Sequence, residues 1–211
     1  MTSIRHNTEV TTSPDDAYLD AARAAILAVG WSRTTLTDIA RRAGVSRMTL
    51  YRRWPDTQTL LADLMTREWA GVVDAAAQEA VAQGSTRAQV SAGVVATVQA
   101  LRANDLVQRI VDVDPEVLLP YLLHRRGRSQ EHVADATAAL IEAGQRDGSV
   151  RAGDPVTMAR SLLLAAHGFV LSAHTMVDSG SGQADVTHLD EELALLVDRY
   201  LVPRSISGAT R

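Results

Sequence analysis

Arg47, Met48, Thr49, Tyr51, Arg52 and Arg53 fall within seven consecutive residues and combine side chains suited to a nucleic-acid duplex. A guanidinium presents parallel N–H donors that match the O6 and N7 acceptors of guanine, while threonine and methionine can touch a thymine methyl. Arginine and tyrosine also donate to phosphate oxygens. Thr57 lies just beyond, and Thr35 and Thr37 stand at the start of a preceding helix, where backbone N–H groups favour an anion. These nine positions are the candidate DNA-binding residues.

The elements that must position them are legible in TLTDIARRAGVSRMTLYRRWPD, residues 35–56. Leu36, Ile39, Ala40 and Ala43 recur at helical spacing with one buried face. Thr35 precedes Asp38 by three residues, which predicts reciprocal capping of a first short helix. Gly44 supplies a left-handed turn, and Ser46 is a good N-cap for a second helix, Arg47 to Trp54, stopped by Pro55. Ala40 keeps the helices close, and Val45 and Leu50 lock one across the other. That is the spacing of a helix-turn-helix, whose second helix enters the DNA major groove. The competing reading of the same residues is a plain helical hairpin with a solvated basic face.

No other constellation selects a chemistry. The chain has no HExxH, CxxC, Gly-rich phosphate loop or recognisable Ser/His/Asp arrangement, so no catalytic residue is assigned. Asp112, Asp114 and Glu116 lack the pattern of a calcium loop and read as helix-capping acids. His167 and His174 are seven residues apart, about 10 Å along a helix, too far to share one ion. Arg125, Arg126 and Arg128 read as a solvated basic connection. Neither metal nor cofactor is expected.

Composition sets the outer bounds. The 211 residues are 46% hydrophobic and 22% charged, enough for one or two compact domains, and contain no cysteine. Every basic residue is arginine. The net charge of −4 divides unevenly: residues 1–54 hold eight arginines against five acids, or +3, and the remainder holds thirteen against twenty, or −7. A basic module on an acidic body fits a nucleic-acid partner, because screening makes the field local over about 10 Å. The N-terminus is polar without a secretory signal, and the uncharged run from Ser161 to Val177 falls short of a membrane span, which predicts a soluble, cytoplasmic protein without membrane attachment.

Along the chain, residues 1–12 predict a fraying arm carrying Arg5 and His6. Ser13, Pro14, Asp15 and Asp16 open a helix whose stripe of Tyr18, Leu19, Ala22, Ala25, Ile26 and Val29 closes a small core with Trp31 and Trp54. A long helix follows from Thr57 to about Gln83, then another from Thr86 to Ala103. The stretch from Asn104 to His124 is irregular, with Pro115 restarting a helix and Pro120 kinking or ending it. Helices from Ser129 to Asp147, Asp154 to about Asp178 and Asp185 to Val202 complete the chain, with SGSGQ (179–183) as a flexible loop. The Asp154 helix is apolar nearly all round and so calls for cover on most sides. No strand-like alternation occurs. The fold class is all-α with about nine helices.

TLTDIARRAGVSRMTLYRRWPDTQTLL resembles the DNA-binding signature of TetR-family transcriptional regulators in its IA-RRAGVS run, the TLY of Thr49–Tyr51, Trp54 and the paired leucines Leu60 and Leu61. The family usually carries a phosphate-holding lysine at the position of Thr57, so that contact should be weaker here. The resemblance implies an N-terminal three-helix DNA-binding domain, residues 1–56, and a C-terminal helical ligand-binding and dimerisation domain, residues 57–211. It further implies a repressor that binds a pseudo-palindromic double-stranded operator as a homodimer through its last two helices. A small, mostly apolar effector would release it, with Met65, Trp69, Val98, Leu101, Tyr121 and Phe169 as pocket candidates. The alternatives are an α-helical enzyme and a dimeric interaction module that keeps the helix-turn-helix as scaffold.

Overall fold

The computed structural model describes residues 13–178 and 183–203, so the expected arm and most of the 179–183 loop lie outside the described residues. Among the described residues ten α-helices follow in order: α1 (Pro14–Val29), α2 (Leu36–Arg42), α3 (Arg47–Arg53), α4 (Thr57–Ala80), α5 (Thr86–Ala103), α6 (Asp105–Val113), α7 (Leu119–Leu123), α8 (Arg128–Arg146), α9 (Pro155–Ser172) and α10 (Gln183–Leu201). Short 3₁₀ turns cover Pro115–Val117 and Ala173–Met176. No strand occurs among the described residues. About nine helices are expected from the sequence, and the difference in kind lies at α7, where Pro120 stands in the first turn of a helix instead of kinking or ending one. A proline in the first turn loses no intrahelical hydrogen bond, which is why that position tolerates it.

The chain divides into two compact units, Met1–Leu64 and Met65–Arg211. Leu60, Leu61 and Leu64 at the start of α4 are essentially unexposed, and they belong to the first unit. Leu19, Ala22, Ala25 and Ile26 of α1, Leu36, Ile39 and Ala40 of α2, and Leu50 of α3 are buried with them. Trp54 is 1% exposed; its ring meets Tyr18 edge-on at 6.1 Å, and its indole N–H donates to Asp63 Oδ2 at 2.8 Å. Trp31 is only half-buried, so Trp54 alone of the two is a full core residue.

In the second unit α5 packs against α8, α9 and α10. Val90, Val98, Ile141, Val150, Met158, Leu162, Leu193, Val197 and Leu201 form its buried core. A Cβ added at Gly144 would lie 2.4 Å from Val150 Cγ2, so this glycine lets the strand of chain after α8 fold back onto the helix. Asp190, 6% exposed, accepts from Arg102 Nη2 through both carboxylate oxygens at 2.6 Å and from Gln99 Nε2 at 3.0 Å. Opposite charge and these three hydrogen bonds offset the desolvation of the carboxylate, while Arg102 Nη1 is buried without a partner.

The expected cover of α9 is incomplete within one chain. Met158, Ala159 and Leu162 are buried, but Leu164 is 72% exposed and Ala165 and Gly168 are exposed beside it. Leu195 and Leu196 of α10 are 53% and 58% exposed. Pro155–Met176, with mean hydropathy 1.4, is long and apolar enough by composition to cross a membrane. Its inner face nonetheless supplies core residues of the second unit, and its helix gives way to a 3₁₀ turn at Ala173.

Candidate nucleic-acid interface

The recognition element is built by three local devices. Thr35 caps α2 by accepting from the Asp38 N–H at 3.2 Å. The reciprocal half of the expected box is missing, because the Asp38 carboxylate instead takes Arg42 Nε at 2.8 Å and Arg41 Nη2. Those two guanidinium hydrogen bonds hold Asp38 below the usual carboxylate range, Arg42 contributing more than Arg41. Gly44 takes φ +69°, a left-handed conformation that an L side chain rarely adopts, and Val45 N–H closes the turn on Ala40 O at 3.0 Å. Ser46 then caps α3, its Oγ accepting from Thr49 N–H at 3.2 Å.

Leu50 points inward with no exposure, and the i+3/i+4 geometry turns the polar residues of α3 outward. Arg47, Met48, Tyr51, Arg52 and Arg53 are exposed, Met48 by 67%. Thr49 is half-buried, and its hydroxyl lies 2.9 Å from that of Ser46. Arg47 Nη2 donates to Tyr51 OH at 2.6 Å, with the guanidinium carbon 4.8 Å from the ring centroid. Arg53 is drawn back instead: its Nε donates to Asp15 Oδ2 at 2.8 Å, and its guanidinium stacks 5.1 Å from the Trp54 ring. Asp15 raises the Arg53 pKa further, first through the hydrogen bond and then through its charge. Arg52 carries no ion pair or side-chain hydrogen bond among the described residues.

Thr35 and Thr37 are exposed at the start of α2, and Thr57 is half-buried as the first residue of α4. The six residues of α3 thus share one short helix, whereas the three threonines sit on its neighbours. Sequence reading missed Asp15, Asp38 and Asp63 as the acids that anchor this unit. The partners of Arg53 and Trp54 lie 38 and 9 residues away, respectively. Only the Asp38 pairs, three and four residues from their arginines, had a local signal.

The pocket candidates are dispersed. Val98 is fully buried in the core of the second unit and Phe169 packs against it. Tyr121 lies beneath Arg125, 5.1 Å from the guanidinium, and beside Gly127. Met65, Trp69 and Leu101 are half-buried. A cavity of about 400 Å³ opens between α4 and α5, lined by Arg67, Glu68, Gly71, Val72, Ala75, Ala76, Glu79, Ala96, Ala100 and Asn104, none of them among the six candidates. His167 Nε2 lies 3.2 Å from Gln130 Nε2, and the Gln130 Oε1 is committed to the Gly127 N–H at 2.8 Å, so the imidazole accepts as the neutral form. Burial lowers its pKa. His174 is exposed.

Comparison with known proteins adds a second, independent line. A family model described as bacterial regulatory proteins, tetR family, matches residues 19–64. An uncharacterised HTH-type transcriptional regulator of Mycobacterium tuberculosis is 36% identical over 173 residues, which cover 81% of this chain and 88% of that protein. A TetR-family regulator of Pectobacterium atrosepticum superposes with a TM-score of 0.69 at 22% identity, over 90% of this chain and 95% of its own. FadR of Bacillus subtilis, solved in complex with stearoyl-CoA, superposes with a TM-score of 0.62 at 13% identity, over 88% and 98% of the two chains. At these identities the structural matches speak to the fold.

Proposed function

The chain belongs to the TetR family of bacterial regulatory proteins, and on that premise we propose that it is a repressor binding a pseudo-palindromic operator as a homodimer and released by a small, mostly apolar effector. It is a DNA-binding transcriptional regulator and not an enzyme. The observation that carries the reading is α3 itself: a capped helix anchored by one buried leucine, with Arg47 and Arg52 outward and, among the described residues, without a carboxylate contact. Arg47, Met48, Thr49 and Arg52 face base edges in this reading. Thr35, Thr37 and Thr57 are assigned to the phosphate backbone, and Arg53 to a phosphate beside its Asp15 anchor.

One such helix reads only a few base pairs, so specificity calls for two, about 34–36 Å apart or a multiple of that spacing. The exposed Leu164, Leu195 and Leu196 support a dimer face on α9 and α10. Two-fold packing of an apolar helix pair against its copy is a common solution for such a surface. The effector is assigned to residues 57–211, with an apolar or amphipathic chemistry that the stearoyl-CoA complex of FadR supports by analogy of fold. α4 runs unbroken from Thr57 to Ala80, giving an effector-driven displacement a helical route towards the operator-binding end. A ligand can shift the equilibrium only by its differential affinity for the two states. The reading places the protein in the cytoplasm, with its DNA.

Selection of bound sequences from a random duplex pool at about 150 mM salt, with Arg52→Ala in parallel, tests the core of this reading. The expected result is an enriched palindrome that the variant loses at one position per half-site, at a cost of about 1–3 kcal/mol. Binding without sequence enrichment, fading equally with salt for both proteins, would reduce α3 to a scaffold. Operator competition during titration of acyl-chain ligands then tests release; a ligand that binds without changing operator affinity removes the switch.

A further inference from the structure

We propose that Tyr51 is a positioning residue for Arg47, holding its guanidinium in the orientation that reads a base edge and so setting sequence preference without touching a base. The inference rests on the DNA-binding reading above. Arg47 opens α3 and Tyr51 follows one turn later, which places both side chains on one face of the helix. Two contacts join them, on different parts of the tyrosine. Arg47 Nη2 donates to the phenolic oxygen at 2.6 Å, and the guanidinium carbon stands 4.8 Å from the ring centroid.

The identity of the partner matters more than the existence of the contact. Arg53, two residues further on, is held by the Asp15 carboxylate, which opposes its charge as it fixes its position. A phenol orients a guanidinium and leaves its full positive charge, with the remaining N–H donors, available to guanine. An exposed arginine loses rotamer entropy when it is fixed on a base, and ordering it before the complex forms removes part of that cost from binding. Arg52, also outward on α3, has no such partner among the described residues. Ser46 and Thr49 do not compete for Tyr51, since their hydroxyls face each other at 2.9 Å. Of the outward α3 arginines, Arg47 is therefore the one that is both pre-oriented and still fully charged.

The rival role for Tyr51 is a direct phosphate contact, because its hydroxyl can accept from Arg47 and still donate its own proton. The two roles differ in what they do to specificity and to salt dependence. Affinities of wild type, Tyr51→Phe, Arg47→Ala and the double variant are measured on the selected operator and its single-base variants at several salt concentrations. Arg47→Ala is expected to lower discrimination at one base pair of each half-site by about 5- to 150-fold. Tyr51→Phe is expected to lower it at the same base pair by about 2- to 10-fold. The salt slope should stay that of wild type, and Tyr51→Phe should add nothing once Arg47 is gone. Thermal unfolding of both single variants should match wild type, as both side chains are exposed.

Uniform weakening by Tyr51→Phe on every sequence, with the slope reduced by about 1, would make Tyr51 a phosphate contact and overturn the proposal. So would unchanged discrimination, or an equal effect with and without Arg47. Absence of any wild-type sequence preference would remove the DNA-binding reading itself, and that outcome is visible before any variant is compared.

Discussion

The two compact units present opposite kinds of surface. In the first, apolar side chains are drawn inward around Trp54, and the outward residues of α3 are arginines, a tyrosine and one methionine. In the second, the core is larger, yet Leu164, Leu195 and Leu196 remain more than half exposed. A small unit has little apolar area to hold itself together and keeps nearly all of it inside. A larger one completes its core and has apolar surface left for a partner. The difference teaches where to look: charge-dependent binding at the first unit, area-dependent association at the second.

Removing the single large side chain at the centre of the first unit should have the largest effect. Trp54→Ala is expected to cost about 3–5 kcal/mol and to abolish operator binding, read by urea unfolding and by titration of operator DNA. Retention of wild-type stability would show that the first unit is not held by this ring. The second unit should respond differently to charge on its apolar surface. Leu164→Glu with Leu196→Glu is expected to leave helix content intact and to raise the dissociation constant of the proposed dimer by about 100-fold or more, measured by sedimentation equilibrium. An unchanged, monomeric wild type would dissolve the contrast between the units.

Two glycines of the second unit sharpen the picture of how tightly its parts are packed. Gly144→Ala, with 2.4 Å to Val150, is expected to destabilise by about 1–3 kcal/mol. Gly71→Ala, with nothing within 4 Å of the added methyl, is expected to stabilise α4 by up to about 1 kcal/mol. Equal effects in thermal denaturation would contradict the packing described for α8. The smallest expected effect is on pH dependence. Burial holds the folded His167 pKa below its unfolded value near 6.5, so below that pH the unfolded chain binds more protons than the folded one. Stability should therefore be full above about pH 6.5 and decline as the pH falls through the folded pKa. His167→Gln should flatten that part of the profile, and an unaltered slope would assign the proton uptake elsewhere.

Much of the first unit was legible because its signals are local. Ser13, Gly44 and Ser46 act on backbone within a few residues of themselves, and the inward Leu50 and outward Arg52 follow from helical spacing alone. The candidate site was legible as a set of residues and illegible as an arrangement. Nothing in the order of residues marks Arg53 as bound by Asp15, or Trp54 as bonded to Asp63. In the second unit apolarity does not separate a pocket wall from the core that Val98 joins, since both call for apolar side chains facing inward.

The sequence by itself determined the helices, the turn at Gly44, the caps at Ser13 and Ser46 and the basic character of α3, because each depends on backbone geometry or charge over a few residues. The tertiary structure alone decided which arginines of α3 stay available, where a cavity opens between α4 and α5, and which face of α9 is uncovered. Those outcomes depend on side chains brought together from distant positions, whose competition for each partner no local spacing records.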